Sequence, residues 1–379
     1  MFAHISSTRT WFSSIDLFLF IPALLLAIFG LLSMHSTNIH ALFFERQLLW
    51  LSLAVVLYLI IQRFDYRFLR NTNVVMLIFT GVVFLLLLTF GLGSVVKGAK
   101  SWIDVGLFAI QPADPAKLAL IILLAKYFSR RHIEIAQFKH IIVSGAYMGI
   151  LFLLVVLQPD FGSAMMIAAL WFGMVLSSGI PWKHILTLAV IGSIFSLCMW
   201  QFVFQDYQKA RIMTFLNPLA DTQGAGYNSQ QSLIAIGSGE FLGKGVGLGT
   251  QSKLEFLPEY ETDFIFAAFA EEWGFIGVII VLLLFAIIVL RLLFMAWRAE
   301  TNFEALFTIG AATLIAAETV MNIGMNVTIL PVTGVALPFM SYGGSHLLIE
   351  FIMLGMANGM YKYAHVAHKD DLQREMLSP

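Results

Sequence analysis

The stretch LPEYETDFIFAAFAEEWG, from Leu257 to Gly274, crowds carboxylates at the front of an apolar run and inside it. Asp263 stands where the polar part meets the apolar part. Two readings fit it. With Thr262 as a helix N-cap, Asp263 falls in the first turn and makes a favourable contact with the helix dipole. Alternatively, a carboxylate held at a membrane–water boundary is partly desolvated, its pKa rises, and it suits general-base work. Glu271 lies about 12 Å further along the same helix. An ionisable group at that depth must face a polar interior, or sit protonated and hydrogen-bonded, and Glu272 carries the same choice.

Three further stretches resemble helix starts. In QPADPAK, Asp114 is placed to cap and Pro115 to occupy the first helical position, with Lys117 within side-chain reach of Asp114. In QPDFGS, Asp160 is placed to cap the next such helix, and SYGGS (Ser341, Tyr342) opens the last. All four starts fall on one side of the chain's apolar segments. Their positive dipole ends, with Lys97, Lys100, Lys117, Lys209, Arg211, Lys244 and Lys253 on that side, predict an outward-facing site for a lipid-linked diphosphate beside a single carboxylate base. Glu318 and Glu350 lie within the last two apolar stretches, either as functional acids or as cross-helix hydrogen-bond partners.

The elements that must position these groups are membrane helices. The 379 residues are 59% hydrophobic and only 12% charged, and the mean hydropathy is +0.85. Soluble domains are about a quarter charged. A net charge of −1 points away from nucleic acid, and the single Cys198 can form neither an internal disulfide nor a zinc site. Ten apolar stretches of spanning length lie at 15–34, 44–62, 72–93, 115–129, 139–157, 161–180, 184–204, 263–297, 303–329 and 342–363. Connections on one side hold fourteen Lys and Arg residues against six on the other, which puts both termini in the cytoplasm. The expected architecture is an all-α, multi-pass membrane domain over 1–379 with a large extracytoplasmic loop at 205–262. The aromatic and leucine residues of that loop argue for order.

The motifs KGAKSWIDVG, QPDFGSAM, GTQSKLEFLPEYETDFIFAAFAEEWG and NIGMNVTILPVTGVALPFMSYGGS carry a resemblance to a known family. The chain resembles the SEDS proteins of shape, elongation, division and sporulation, and GTQSKLEFLPE reads more like the elongation members than the division members. The resemblance implies a peptidoglycan glycosyltransferase of the bacterial cytoplasmic membrane. Such an enzyme polymerises lipid II, an undecaprenyl-diphosphate-linked disaccharide peptide, outside the membrane beside a class B penicillin-binding protein and other elongation-complex membrane proteins. The essential aspartate of the family maps to Asp263, and cavity-lining residues map to Lys97, Trp102, Lys117 and Asp160. With the groups read from the helix starts and loops, the predicted substrate-binding set is Lys97, Trp102, Asp114, Lys117, Asp160, Arg211, Ser341 and Tyr342. Three departures stand out: Ala113-Asp114 replaces a Ser-Glu pair, Ala109 an arginine, and Ala336 a proline.

One base and a ring of cations suffice for such a transfer, because a neutralised diphosphate leaves without a second carboxyl to protonate it. A divalent cation, magnesium or manganese, could share the neutralising task, although no ligand cluster in the sequence demands one. Two other readings fit a polytopic chain with buried acids. One is a transporter that flips lipid II, and the other is a non-catalytic scaffold for cell-wall enzymes.

Overall fold

The computed structural model describes residues 15–35, 41–96, 99–104, 106, 109–130, 138–202, 209, 213, 215, 225–254 and 256–377. Every one of the ten apolar stretches carries a helix. These are α1 (Leu17–His35), α2 (Ala41–Ile61), α3 (Thr72–Leu92), α4 (Ala113–Ser129), α5 (Phe138–Val156), α6 (Phe161–Ser177) and α7 (Trp182–Phe202). After the long connection come α10 (Ile265–Trp297), α11 (Asn302–Asn326) and α12 (Gly344–Leu377). Among the described residues, seven helices are long and apolar enough to cross a membrane by length and composition. This is an all-helical integral membrane protein. Large apolar side chains such as Leu77, Phe84, Leu197 and Leu283 are exposed on the helix faces, as a lipid-facing surface requires.

The polar segments between helices are ordered where described. Three short strands, β1 (Ser94–Val96), β2 (Ala99–Asp104) and β3 (Ala109–Ile110), form an antiparallel sheet with Ile103 opposite Ile110. The described part of the long connection includes the helices α8 (Ala225–Ser238) and the single turn α9 (Thr250–Lys253). Within the bundle, α11 packs against α10, α4 and α6, and α12 packs against α2. Helix α4 is interior: residues 118–126 are buried without a break. That is why its charged residues, Asp114 and Lys117, had to find partners inside the protein.

The apolar stretch 263–297 reads as one long span, and here the structure differs. Helix α10 is broken at Gly274, whose backbone angles (φ 63°, ψ −165°) are closed to residues with a Cβ. The break frees backbone groups that the Gly-rich segment before α9 then satisfies. The Lys244 N–H donates to the Glu271 carbonyl and the Gly245 N–H to the Glu272 carbonyl, each at 3.0 Å, and the Phe275 N–H donates to the Glu240 carbonyl at 2.9 Å. The two glutamates complete the junction. Glu271 Oε1 accepts from Lys244 Nζ at 2.7 Å and from the Thr250 N–H at 2.8 Å, and Glu272 Oε1 accepts from the Gly247 N–H at 3.0 Å. The acids inside the apolar run are therefore there to hold a connection that docks at a helix break.

A Cβ at position 274 would lie 2.2 Å from the Gly243 nitrogen as well as forcing the backbone. Gly274→Ala is expected to cost about 1–3 kcal/mol from the backbone alone. It should lower the melting temperature in detergent and increase proteolytic nicking between 240 and 250. An unchanged melting curve would refute the strained junction.

Candidate active site

Four helix starts converge on one cavity of about 720 Å³. Its wall includes Asp114 and Lys117 of α4, Asp160, Phe161 and Ser163 at the start of α6, Thr262 and Asp263 before α10, and Tyr342, Gly343 and His346 at the start of α12. The arrangement aims several positive dipole ends at one volume, the geometry that favours anions.

Asp263 is half-buried and lines this cavity. Its backbone is held from α11. The Asp263 carbonyl accepts from Asn322 Nδ2 at 3.1 Å and from Asn326 Nδ2 at 3.0 Å, both from α11. Asn322 also donates to the Val335 carbonyl at 2.8 Å, drawing the irregular segment 331–337 alongside. There Gly334 lies beside the acid: its φ of +76° is what calls for glycine, since a Cβ built on it would only touch Asp263 Oδ2, at 3.5 Å. Helix α10 begins at Ile265 with Phe264 in the cap position and no side-chain cap. The expected Thr262 cap is thus not formed; Thr262 Oγ1 instead donates to Glu259 Oε2 at 3.0 Å.

The expected contact between Lys117 and Asp114 exists and is wider than anticipated. Lys117 Nζ lies 3.1 Å from Asp114 Oδ1 and 2.7 Å from Glu318 Oε1. Asp114 does not cap α4, which begins at Ala113 after Pro112; its carboxylate accepts from Ser345 Oγ at 2.7 Å instead. His346 Nδ1 stands 3.4 Å from Asp114 Oδ1, and His346 Nε2 is 3.1 Å from Glu350 Oε1. The joining of Glu318 to Lys117, and of Asp114 to Ser345 and His346, could not be read from sequence spacing, because those partners lie more than 200 residues apart; His346 and Glu350 are one helical turn apart, the spacing that was available.

Asp160 caps α6 as expected, accepting from the Ser163 N–H at 3.0 Å, and its other oxygen accepts from Gln111 Nε2 at 2.7 Å. Trp102, on β2, and Tyr342 also reach the cavity. Ser341 does not: it is buried, its Oγ donates to the Thr262 carbonyl at 2.6 Å and accepts from the Leu337 N–H at 2.8 Å. It ties the segment before α12 to the residue preceding Asp263, a positioning role in place of the expected substrate contact. Lys97 and Arg211 lie outside the described residues. Of the other expected cations, Lys100 Nζ donates to the Phe90 carbonyl at 2.6 Å and Lys244 is held by Glu271. Among the described lysines and arginines, Lys117 alone lines the cavity.

A family model described as a cell cycle protein, FtsW/RodA/SpoVE, matches residues 10–365. The chain belongs to the FtsW/RodA/SpoVE family. It is 38% identical over 287 residues to the peptidoglycan glycosyltransferase MrdB of Escherichia coli K12, covering 76% of this chain and 77% of that protein. It is 35% identical over 364 residues to the stage V sporulation protein E of Bacillus subtilis, covering 93% and 98%. Among solved structures, a chain described under structural coordination of polymerization and crosslinking by a peptidoglycan synthase complex superposes with a TM-score of 0.79. Identity there is 27%, covering 92% of this chain and 98% of that one. The rod shape determining protein RodA of Thermus thermophilus superposes with a TM-score of 0.69 at 26% identity, covering 92% and 97%.

In this family member the Lys117 network is open to a direct stability test. Removing one partner of a buried pair costs about 3–5 kcal/mol, because the other charge stays behind. Lys117→Met should therefore lower the melting temperature strongly, and adding Asp114→Asn and Glu318→Gln should recover part of the loss. A Lys117→Met protein that melts like the parent would show the pairing to be inconsequential.

Proposed function

We propose that the chain is a peptidoglycan glycosyltransferase that polymerises lipid II at the outer face of the bacterial cytoplasmic membrane, with Asp263 as general base. One observation carries the reading: a half-buried carboxylate opens into a cavity of about 720 Å³ on which helix N-termini converge. The names of the relatives supply the reaction class. The distribution of basic residues supports an outward-facing cavity, because the side richer in Lys and Arg is the cytoplasmic one.

The chemistry follows from that inventory. The C4 hydroxyl of the acceptor N-acetylglucosamine attacks the anomeric carbon of the donor N-acetylmuramic acid. The new C–O bond forms as the bond to undecaprenyl diphosphate breaks, inverting the centre. The hydroxyl proton passes to Asp263. The diphosphate departs with the bonding electron pair, and no second carboxyl need protonate it, in contrast to glycoside hydrolysis. Positive potential in a water-poor site stabilises its charge. Lys117 is already shared by Asp114 and Glu318, so much of that potential comes from the helix N-termini. Trp102 and Tyr342 offer flat apolar faces to sugar rings. Lys97 and Arg211 remain in the proposal as further diphosphate contacts. A class B penicillin-binding protein is the proposed partner, in keeping with the similar chain from a complex that coordinates polymerization and crosslinking.

Purified protein with its partner and lipid II in detergent should make glycan strands, although no bilayer remains to cross. Asp263→Asn keeps the side chain's size and should lower the polymerisation rate by about 10²–10⁴-fold with the fold intact. Product from the variant at the parent rate would remove Asp263 from the mechanism. No product from the parent, together with lipid II translocation in vesicles, would favour the transporter.

A further inference from the structure

Glu318, His346 and Glu350 bring three potential ligand atoms within 4.8 Å of one another, two of the residues lining the cavity. Glu350 is only 2% exposed. Its Oε2 accepts from the Phe339 N–H at 2.8 Å, but its Oε1 has no hydrogen-bond partner, and neither does His346 Nε2. These two orphaned atoms face each other at 3.1 Å without hydrogen-bond geometry. Two donors each about 2.1 Å from one ion, and about a right angle apart, stand about 3.0 Å from each other. A buried polar atom without a partner is costly, and two aimed at one point ask for a shared occupant.

The surroundings fit a cation. His346 Nδ1 faces Asp114 Oδ1, the carboxylate–imidazole pairing that orients a metal-binding histidine and leaves Nε2 for the ion. Asp114 is itself fixed by Ser345 and Lys117. Glu318 spends one oxygen on Lys117 Nζ, and a carboxylate has a second. Asp114, Glu318 and Glu350 are three buried carboxylates against the single ammonium of Lys117. Either a dication beside a neutral imidazole or protons on His346 and Glu350 bring that sum to zero.

We propose that Glu318, His346 and Glu350 hold a first-row divalent cation against the wall of the cavity. The single imidazole among the ligands favours manganese, iron or zinc over magnesium or calcium, which prefer oxygen alone. The site is separate from Asp263, and its existence does not depend on the transferase reading.

Manganese(II) is the probe. Full-length protein in detergent, stripped with chelator and titrated with the ion, should bind about one per chain by electron paramagnetic resonance and elemental analysis. The bound ion should show the nitrogen modulation of a coordinated imidazole, and millimolar magnesium should not displace it. His346→Ala and Glu350→Gln should each weaken binding by more than about tenfold, since even outer partners change metal affinity by about 10–100-fold. Asp263→Asn should bind as the parent does. No stoichiometric binding by the parent would leave a bare His346–Glu350 contact and overturn the proposal. So would bound manganese lacking the nitrogen signal, or binding lost in Asp263→Asn and kept in His346→Ala. The nitrogen signal is read on the parent protein, so it decides even where a variant folds poorly.

Discussion

A charge inside an apolar bundle is tolerated only when partners surround it, because the cost of leaving water is several kcal/mol per ion. That constraint organises this chain. Lys117 on α4 binds Asp114 of its own helix and Glu318 of α11; Asp114 reaches Ser345 and His346 of α12; Glu350 of α12 holds the Phe339 N–H. Three helices are thus locked at one level by groups that cannot separate without exposing an uncompensated charge. The lock passes outward through the backbone. Segment 331–343, anchored at Phe339, gives up the Ser341 hydroxyl to the Thr262 carbonyl and the Tyr342 N–H to the Glu261 carbonyl, while Asn322 and Asn326 hold Asp263 from α11. The backbone of Asp263 therefore takes its place from segments that this charge network holds.

The membrane helices were legible because each is a long apolar run, and lipid demands such runs whatever the tertiary contacts are. Starts and ends fell within a few residues for most, for example 72–93 against Thr72–Leu92. The convergence of four helix starts was also legible, since alternating crossings place every second start on one side. What escaped depends on contacts distant in sequence. Asp114 followed by proline resembles a cap, yet its carboxylate is claimed by Ser345 and Lys117. Ser341 and Tyr342 are adjacent and look alike as candidates, but only Tyr342 reaches the cavity. The break at Gly274 was hidden because glycine is ordinary in membrane helices. The pair Glu271-Glu272 beside it was the available signal, since two acids in an apolar run must be serving something. The small sheet 94–110 has strands of two to six residues, too short for alternation to show.

The segregation of charges bears on what Asp263 can do. A carboxylate beside an uncompensated cation is a weaker base, because the ion pair stabilises its charged form. Here the cavity's described lysine is committed to two other carboxylates, and helix ends add positive potential spread over the cavity. Spread potential can hold a diphosphate without concentrating on the base. In the proposed reaction, such a site would separate two electrostatic tasks, attraction of a departing anion and acceptance of a proton, by position within one volume.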